Sequence, residues 1–183
     1  MPQHERMTLP SFVALRGQSL LRLAWLLTGD ADRAQDAVQE TLARVLPRWE
    51  AIAVKGDPEP YVRAALRSVC IDAHRRRAVR PHEIQDDEAH LEGAPRRPPV
   101  SADAAEAVAE RLDLASALAR LTPRQRQVLV LRFYEDLTEV AAAKVLGCSP
   151  NTVKSQTRHA LDRLRVLAPE IVSDLREPSE VNR

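Results

Sequence analysis

Between residues 149 and 158, side chains that donate hydrogen bonds or carry positive charge recur at short intervals: Ser149, Asn151, Thr152, Lys154, Ser155 and Arg158. On a helix this spacing turns Asn151, Lys154, Ser155 and Arg158 outward. An amide, an ammonium, a hydroxyl and a guanidinium side by side suit base edges and phosphate oxygens in a DNA major groove. Two further sets have chemistry of a different kind. Asp36 and Glu40 are four residues apart with Gln39 beside them, an acceptor-rich helix face with no basic residue expected to neutralise it from within the helix. Arg63 and Arg67 precede His74-Arg75-Arg76-Arg77, a basic run suited both to a helix C-terminus and to phosphate. Trp49 and Tyr61 flank a loop containing Lys55; either ring is suited to stacking on an unpaired base or to a place in the core.

The elements that must position these groups are all helical. Residues 137–165 read LTEVAAAKVLGCSPNTVKSQTRHALDRLR, a helix-turn-helix. Thr138 starts its first helix, Gly147 permits the tight turn, and Ser149 with Pro150 opens the second helix. Ala142, Ala143, Leu146, Cys148 and Val153 are its inward positions. Upstream, Phe12, Leu15, Leu20, Leu23 and Leu27 mark a first helix, and Asp30 or Asp32 caps a second from about residue 33 to 46, ended by Pro47. Its inner face is Ala34, Val38, Leu42 and Val45. Trp49 is expected to fold back onto the core. The stretch from Lys55 to Pro60 is too rich in breakers to be helical. A third helix runs from about Tyr61 to Arg77, burying Val62, Ala65, Leu66, Val69 and Ala73. Another covers Arg124 to Tyr134, with Val128, Leu129 and Leu131 inside.

Aromatic residues make up only 3% of the 183, which favours packed helices over sheets. The expected fold is therefore all-α: two small helical domains, residues 8–79 and 104–167, joined by a flexible linker at 80–103 and followed by a tail at 168–183. The linker carries Pro81, Pro95, Pro98 and Pro99 among acidic residues, with no apolar period. A net charge of +1 conceals strong segregation, with basic blocks at 75–80 and 154–165 and acidic residues gathered at 83–92. Cys70 and Cys148 lie within apolar patterns and are expected to be buried thiols of a reduced, cytoplasmic protein. No apolar run reaches membrane-spanning length, so membrane insertion is not expected.

Four segments in one order carry a resemblance: Asp36-Ala37-Val38-Gln39-Glu40-Thr41 after LLTGD, then YVRAALRSVCIDAHRRR, then LTPRQRQVLVLRFYEDLT, then VLGCSPNTVKSQTRHALDRLR. Together they resemble an extracytoplasmic-function (ECF) sigma factor of the sigma-70 family, in its actinobacterial branch. The resemblance implies that residues 8–79 are sigma region 2, which binds core polymerase and reads and melts the −10 element. Asp36, Gln39 and Glu40 would meet the polymerase clamp helices. Trp49, Lys55, Tyr61, Arg67, Ser68, Arg75, Arg76 and Arg77 would serve the −10 element. Residues 104–167 would be region 4, with Ser149, Asn151, Thr152, Lys154, Ser155 and Arg158 at the −35 element. The acidic linker would thread toward the polymerase active-centre cleft. Implied partners are core RNA polymerase, through its clamp helices and flap, and promoter DNA, with an anti-sigma factor as a partner the family allows. Tyr61 and Ser68 replace a common tryptophan and asparagine, Ala141-Ala142 replaces a Glu-Ile pair, and Asn151 replaces a usual glycine.

Two other readings compete. A helix-turn-helix regulator that binds operators without polymerase would need neither the acidic face nor the basic third helix. A metalloenzyme would need His82, Asp86 and His90 as ligands, but these lie within the Pro-flanked linker. No nucleophile–base arrangement and no glycine-rich phosphate loop occurs, so neither an enzyme nor a cofactor is expected.

Overall fold

Local capping chemistry sets most of the helix boundaries. A computed structural model describes residues 7–78 and 116–169. The first helix, α1 (Leu9–Thr28), starts where Thr8 accepts from the Ser11 amide, and ends at Gly29 with φ 72°. Asp30 caps α2 (Ala31–Val45) by accepting from the Arg33 amide at 2.8 Å. Pro47 does not end the helical path. A 3₁₀ turn (Leu46–Arg48) leads straight into the short α3 (Trp49–Ala53), because a proline early in a turn sacrifices no hydrogen bond.

The breaker-rich stretch is shorter than its composition suggests. Asp57 accepts from the Glu59 amide at 2.9 Å, and α4 (Glu59–Ala78) takes Pro60 into its first turn. After the helical residues 116–119, a Thr122–Gln125 capping box opens α5 (Pro123–Leu129). A π-helical turn (Val130–Tyr134) follows, then α6 (Glu139–Leu146) and α7 (Pro150–Leu167). No strand occurs among the described residues.

Residues 79–115 and 170–183 fall outside the described residues, and with them the linker, its three candidate metal ligands and most of the tail. Among the described residues, no three His, Cys, Asp or Glu side chains gather as a ligand set, and no helix is long and apolar enough to cross a membrane.

Helices α1, α2 and α4 enclose the first core, including Phe12, Leu20, Leu23, Leu27, Val62, Leu66 and Val69. Trp49 joins it, its ring 5.2 Å from that of Phe12 and its indole N–H donating to the Met7 carbonyl. The inner face of α2 is rotated from the expected stripe: Ala34, Ala37, Thr41 and Val45 are buried, while Val38 and Leu42 are half-buried. Leu15 is a correction, since it is 61% exposed on the outer side of α1. In α4, Cys70 and Ile71 are buried where Ala65 and Ala73 were expected to be, and those two alanines are only half-buried.

A second core joins Leu118, Leu121 and Leu129 to Ala160, Leu161 and Leu164 of α7. A third gathers Val128, Leu131, Ala142, Ala143, Leu146 and Val153, and includes Ile71 from α4. Val130 reciprocates by entering the first core, and Leu26 of α1 packs against the second. The two helical units are therefore packed on each other through their described residues. The apolar side chains exchanged between them explain why: Ile71 and Val130 are both at most 2% exposed.

Candidate nucleic-acid interface

Helix α7 is held from two sides. Gly147, at φ 60°, turns the chain after α6, where no side chain of L configuration sits without strain. The Ser149 hydroxyl then accepts from the Thr152 amide at 3.1 Å. Val153, Ala160, Leu161 and Leu164 anchor the inner face of α7. Asn151, Lys154, Ser155 and Arg158 are exposed and Thr152 is half-buried, as the spacing requires. The result is a rigid helix with a polar and basic outer face, one turn beyond a positively polarised N-terminus. His159 is exposed beside Arg158, a position that charge patterning alone did not single out.

The acceptor face of α2 is present but not unneutralised. Asp36 and Gln39 are exposed, whereas Glu40 is half-buried and accepts from Arg44 one turn along the same helix. Expecting no basic residue to do this was an error: the Glu-to-Lys/Arg spacing of four favours such a pair. Its strength is modest at 39–49% side-chain exposure.

Residues assigned to the −10 element divide into two groups. Lys55, Tyr61, Ser68, Arg75 and Arg76 are exposed. Trp49 is only 8% exposed, so its ring faces Phe12 and offers no face to a base in this conformation. Arg67 is turned toward the second helical unit: it donates to Glu135 Oε2, while Arg63 donates from Nε to Oε1 at 3.1 Å. The Glu135 side chain is 2% exposed, fully enclosed by these partners. Burial acts to lower the Arg63 pKa, but the hydrogen bond and charge of Glu135 outweigh it and hold the guanidinium above its ordinary value. The Arg63 guanidinium also lies 5.7 Å from the centre of the Tyr134 ring.

Two more arginines cross between the units, each at the carboxyl end of a helix. Arg126 donates to the Thr28 carbonyl at 2.9 Å, its guanidinium lying flat over Gly29, where an added Cβ would come within 2.6 Å. Arg75 donates to the Val145 carbonyl at 3.3 Å and lies over Gly147, again 2.6 Å from where a Cβ would stand. A cation at a helix C-terminus is favoured by the exposed carbonyls and the macrodipole. Sequence reasoning missed Glu135 and Arg126 altogether, and nothing local marks them: each looks like an ordinary surface residue.

Cys70 is buried, and loss of solvent pushes its thiol up to about 12; Cys148 is half-buried. Cys70, His74, Arg77, Arg126 and Gln127 line a small cavity together with Leu27 and Thr28 of α1.

Known proteins resemble this chain over most of its length. Residues 12–80 match the family model for sigma-70 region 2, and residues 111–164 match that for sigma-70 region 4. The RNA polymerase sigma-E factor of Streptomyces coelicolor is 37% identical over 84% of this chain and 82% of its own length. The ECF RNA polymerase sigma factor SigL of Mycobacterium tuberculosis is 35% identical over 83% of this chain and 84% of its own. Among solved structures, the sigma factor RpoE of Bartonella quintana, in complex with the anti-sigma factor NepR, shares the fold. Its TM-score is 0.58 at 24% identity, covering 88% of this chain and 96% of that one.

Proposed function

We propose a division of labour from one premise: the chain belongs to the ECF sigma factors of RNA polymerase, within the sigma-70 family. It is an alternative sigma factor for transcription initiation, a regulatory subunit of polymerase. In this reading Asp36, Gln39 and Glu40 dock on the clamp helices of core polymerase, and α7 enters the major groove of the −35 element. Asn151, Lys154, Ser155 and Arg158 make the contacts there, with Ser149 and Thr152 placing the helix N-terminus against phosphate. Lys55, Tyr61, Ser68, Arg75, Arg76 and Arg77 serve the −10 element, together with Arg67 once it is released from Glu135. The observation that carries this reading is the exposed row on α7, fixed by two glycine- and serine-set helix ends over a fully buried seam.

The physics of the mechanism lies in position. Each DNA contact alone is weak, and fixing both units on polymerase makes the second contact effectively intramolecular. Holding unpaired −10 bases on basic and aromatic side chains offsets the cost of unstacking, a few kcal/mol per step. The chain makes and breaks no bond in this account, and it works in the cytoplasm, where polymerase and promoter are. An anti-sigma factor fits the account as a restraining partner, as in the complex of the Bartonella relative.

Run-off transcription with core polymerase on genomic fragments tests the reading. Discrete start sites that require this chain are expected. Tight, sequence-specific DNA binding by the chain without polymerase, together with no transcripts, would instead favour a polymerase-independent regulator.

A further inference from the structure

The pairing of Arg63 and Arg67 with Glu135 has the chemistry of a phosphate site already filled. The two arginines are one turn apart on α4, on a face adjoining the buried Leu66. They divide the carboxylate between them: Arg63 donates to Oε1 and Arg67 to Oε2. Ser19 accepts a further hydrogen bond from Arg63 at 3.1 Å, and Glu59 another at 3.3 Å, which fixes the guanidinium before any ligand arrives. Tyr134 lies against the same guanidinium. A carboxylate held by two guanidiniums and a phosphodiester held by two guanidiniums present the same charge and the same pair of acceptor oxygens.

The surroundings make this pairing a matter of which units touch. Glu135 is 72 residues from Arg63 along the chain, so the contact exists only while the two helical units are packed together. Arg126 on the end of α1 and Arg75 on the end of α6 support the same packing. The outer face of α7 remains exposed in this arrangement, whereas Arg63 and Arg67 retain only 20% and 15% of their side-chain exposure.

We propose that Glu135 occupies the place of a DNA phosphate between Arg63 and Arg67, so that region 4 latches region 2 closed and opening the latch exposes a phosphate-binding pair on α4. The inference rests on the sigma-factor reading for the identity of the DNA, and it adds Arg63 to the residues that serve the −10 strand. Free chain is held back from single-stranded DNA by its own carboxylate, and polymerase, by separating the units, removes the competitor.

The test uses the full chain and its variant Glu135→Gln, which keeps the shape of the side chain and removes its charge. Small-angle scattering reads closure, and fluorescence anisotropy reads binding to a short labelled single-stranded oligodeoxynucleotide. Glu135→Gln should enlarge the radius of gyration and tighten binding about tenfold, the gain expected if roughly a tenth of the free wild-type chain is open. Its log–log salt dependence should steepen by about 0.7, for the one phosphate that takes the place of Glu135 between the two arginines. An oligonucleotide with a neutral methylphosphonate backbone should show no gain. Arg67→Gln should open the molecule equally without tightening binding, and it decides the question of closure should Glu135→Gln lose its helical circular dichroism. An extended wild-type chain, an unchanged radius in both variants, or opening by Glu135→Gln without tighter binding overturns the proposal. The sigma reading stands or falls separately, on whether the wild-type chain supports run-off transcription with core polymerase.

Discussion

Helices α4 and α7 are both basic, both amphipathic and both assigned to DNA, yet they present themselves in opposite ways. On α7 the polar row faces solvent, while Val153, Ala160, Leu161 and Leu164 are buried on the inner face. On α4 two of the arginines are turned into the contact with the other unit and bonded to one acid. Charge composition is the same kind of evidence for both helices. What separates them is the partner each face meets, and that is a property of packing between units.

The comparison can be broken most severely at the seam that anchors α7. Leu164→Ala removes a side chain that is 0% exposed and should cost about 2–5 kcal/mol. Chemical denaturation should show this as an earlier unfolding midpoint, and −35 binding by the polymerase complex should fall with it. An unchanged midpoint would mean that α7 is not held by this core.

The exposed row should respond differently. Arg158→Ala and Lys154→Ala leave the fold intact, each weakening −35 duplex binding by about 1–3 kcal/mol if the contact is to a base, or lowering the salt slope by about 1 if to phosphate. Titrations at several salt concentrations separate these outcomes, and unchanged binding removes the residue from the interface. On α2, Asp36→Ala with Glu40→Ala should weaken binding to core polymerase. Because Arg44 already engages Glu40, Asp36 is expected to contribute the larger part, which single variants would show in a pull-down titration.

Gly29→Ala sharpens the comparison at the interface of the units. The residue sits at φ 72°, and its new Cβ would meet the Arg126 guanidinium, so a loss of about 1–2 kcal/mol is expected in thermal unfolding. The last effect, absent at neutral pH, concerns Cys70. Its folded-state pKa is raised from 9.0 to about 12, so the folded state keeps a proton that the unfolded chain releases. Stability is therefore unaffected by this group below about pH 9 and declines as pH rises from there toward 12. Cys70→Ala should flatten that alkaline decline in melts at increasing pH.

What the sequence made legible was local. Thr138, Gly147, Ser149 and Pro150 specify the ends of two helices by chemistry confined to a few neighbours, and the structure places the four as expected. The same holds for Asp30, which caps α2. Pro47 and Pro60, which read as breakers, sit in helical turns instead, because their missing N–H groups fall where no bond is needed. Leu15 follows Phe12 by the three residues of a helical stripe yet lies outside the buried face, since its spacing of five to Leu20 fits neither a third nor a fourth position.

The contact between the units was illegible for a different reason. Glu135 is one of many exposed-looking acids, and its choice of Arg63 and Arg67 bridges 68–72 residues of chain. Buried Arg126 and Gln127 follow the same rule: polar residues in a helical period read as surface until a second body covers them. The family resemblance named the parts and their DNA partners, but it carried no information on how this chain packs them together.

The most direct test of the account is footprinting on one promoter fragment identified by run-off transcription, with the chain alone and with the chain bound to core polymerase. The account predicts no protection by the chain alone at concentrations that saturate the complex. With polymerase, it predicts protection of the −35 duplex and permanganate-reactive thymines at −10. Equal protection of the −35 duplex with and without polymerase, or a −10 segment that stays paired in the complex, would contradict it.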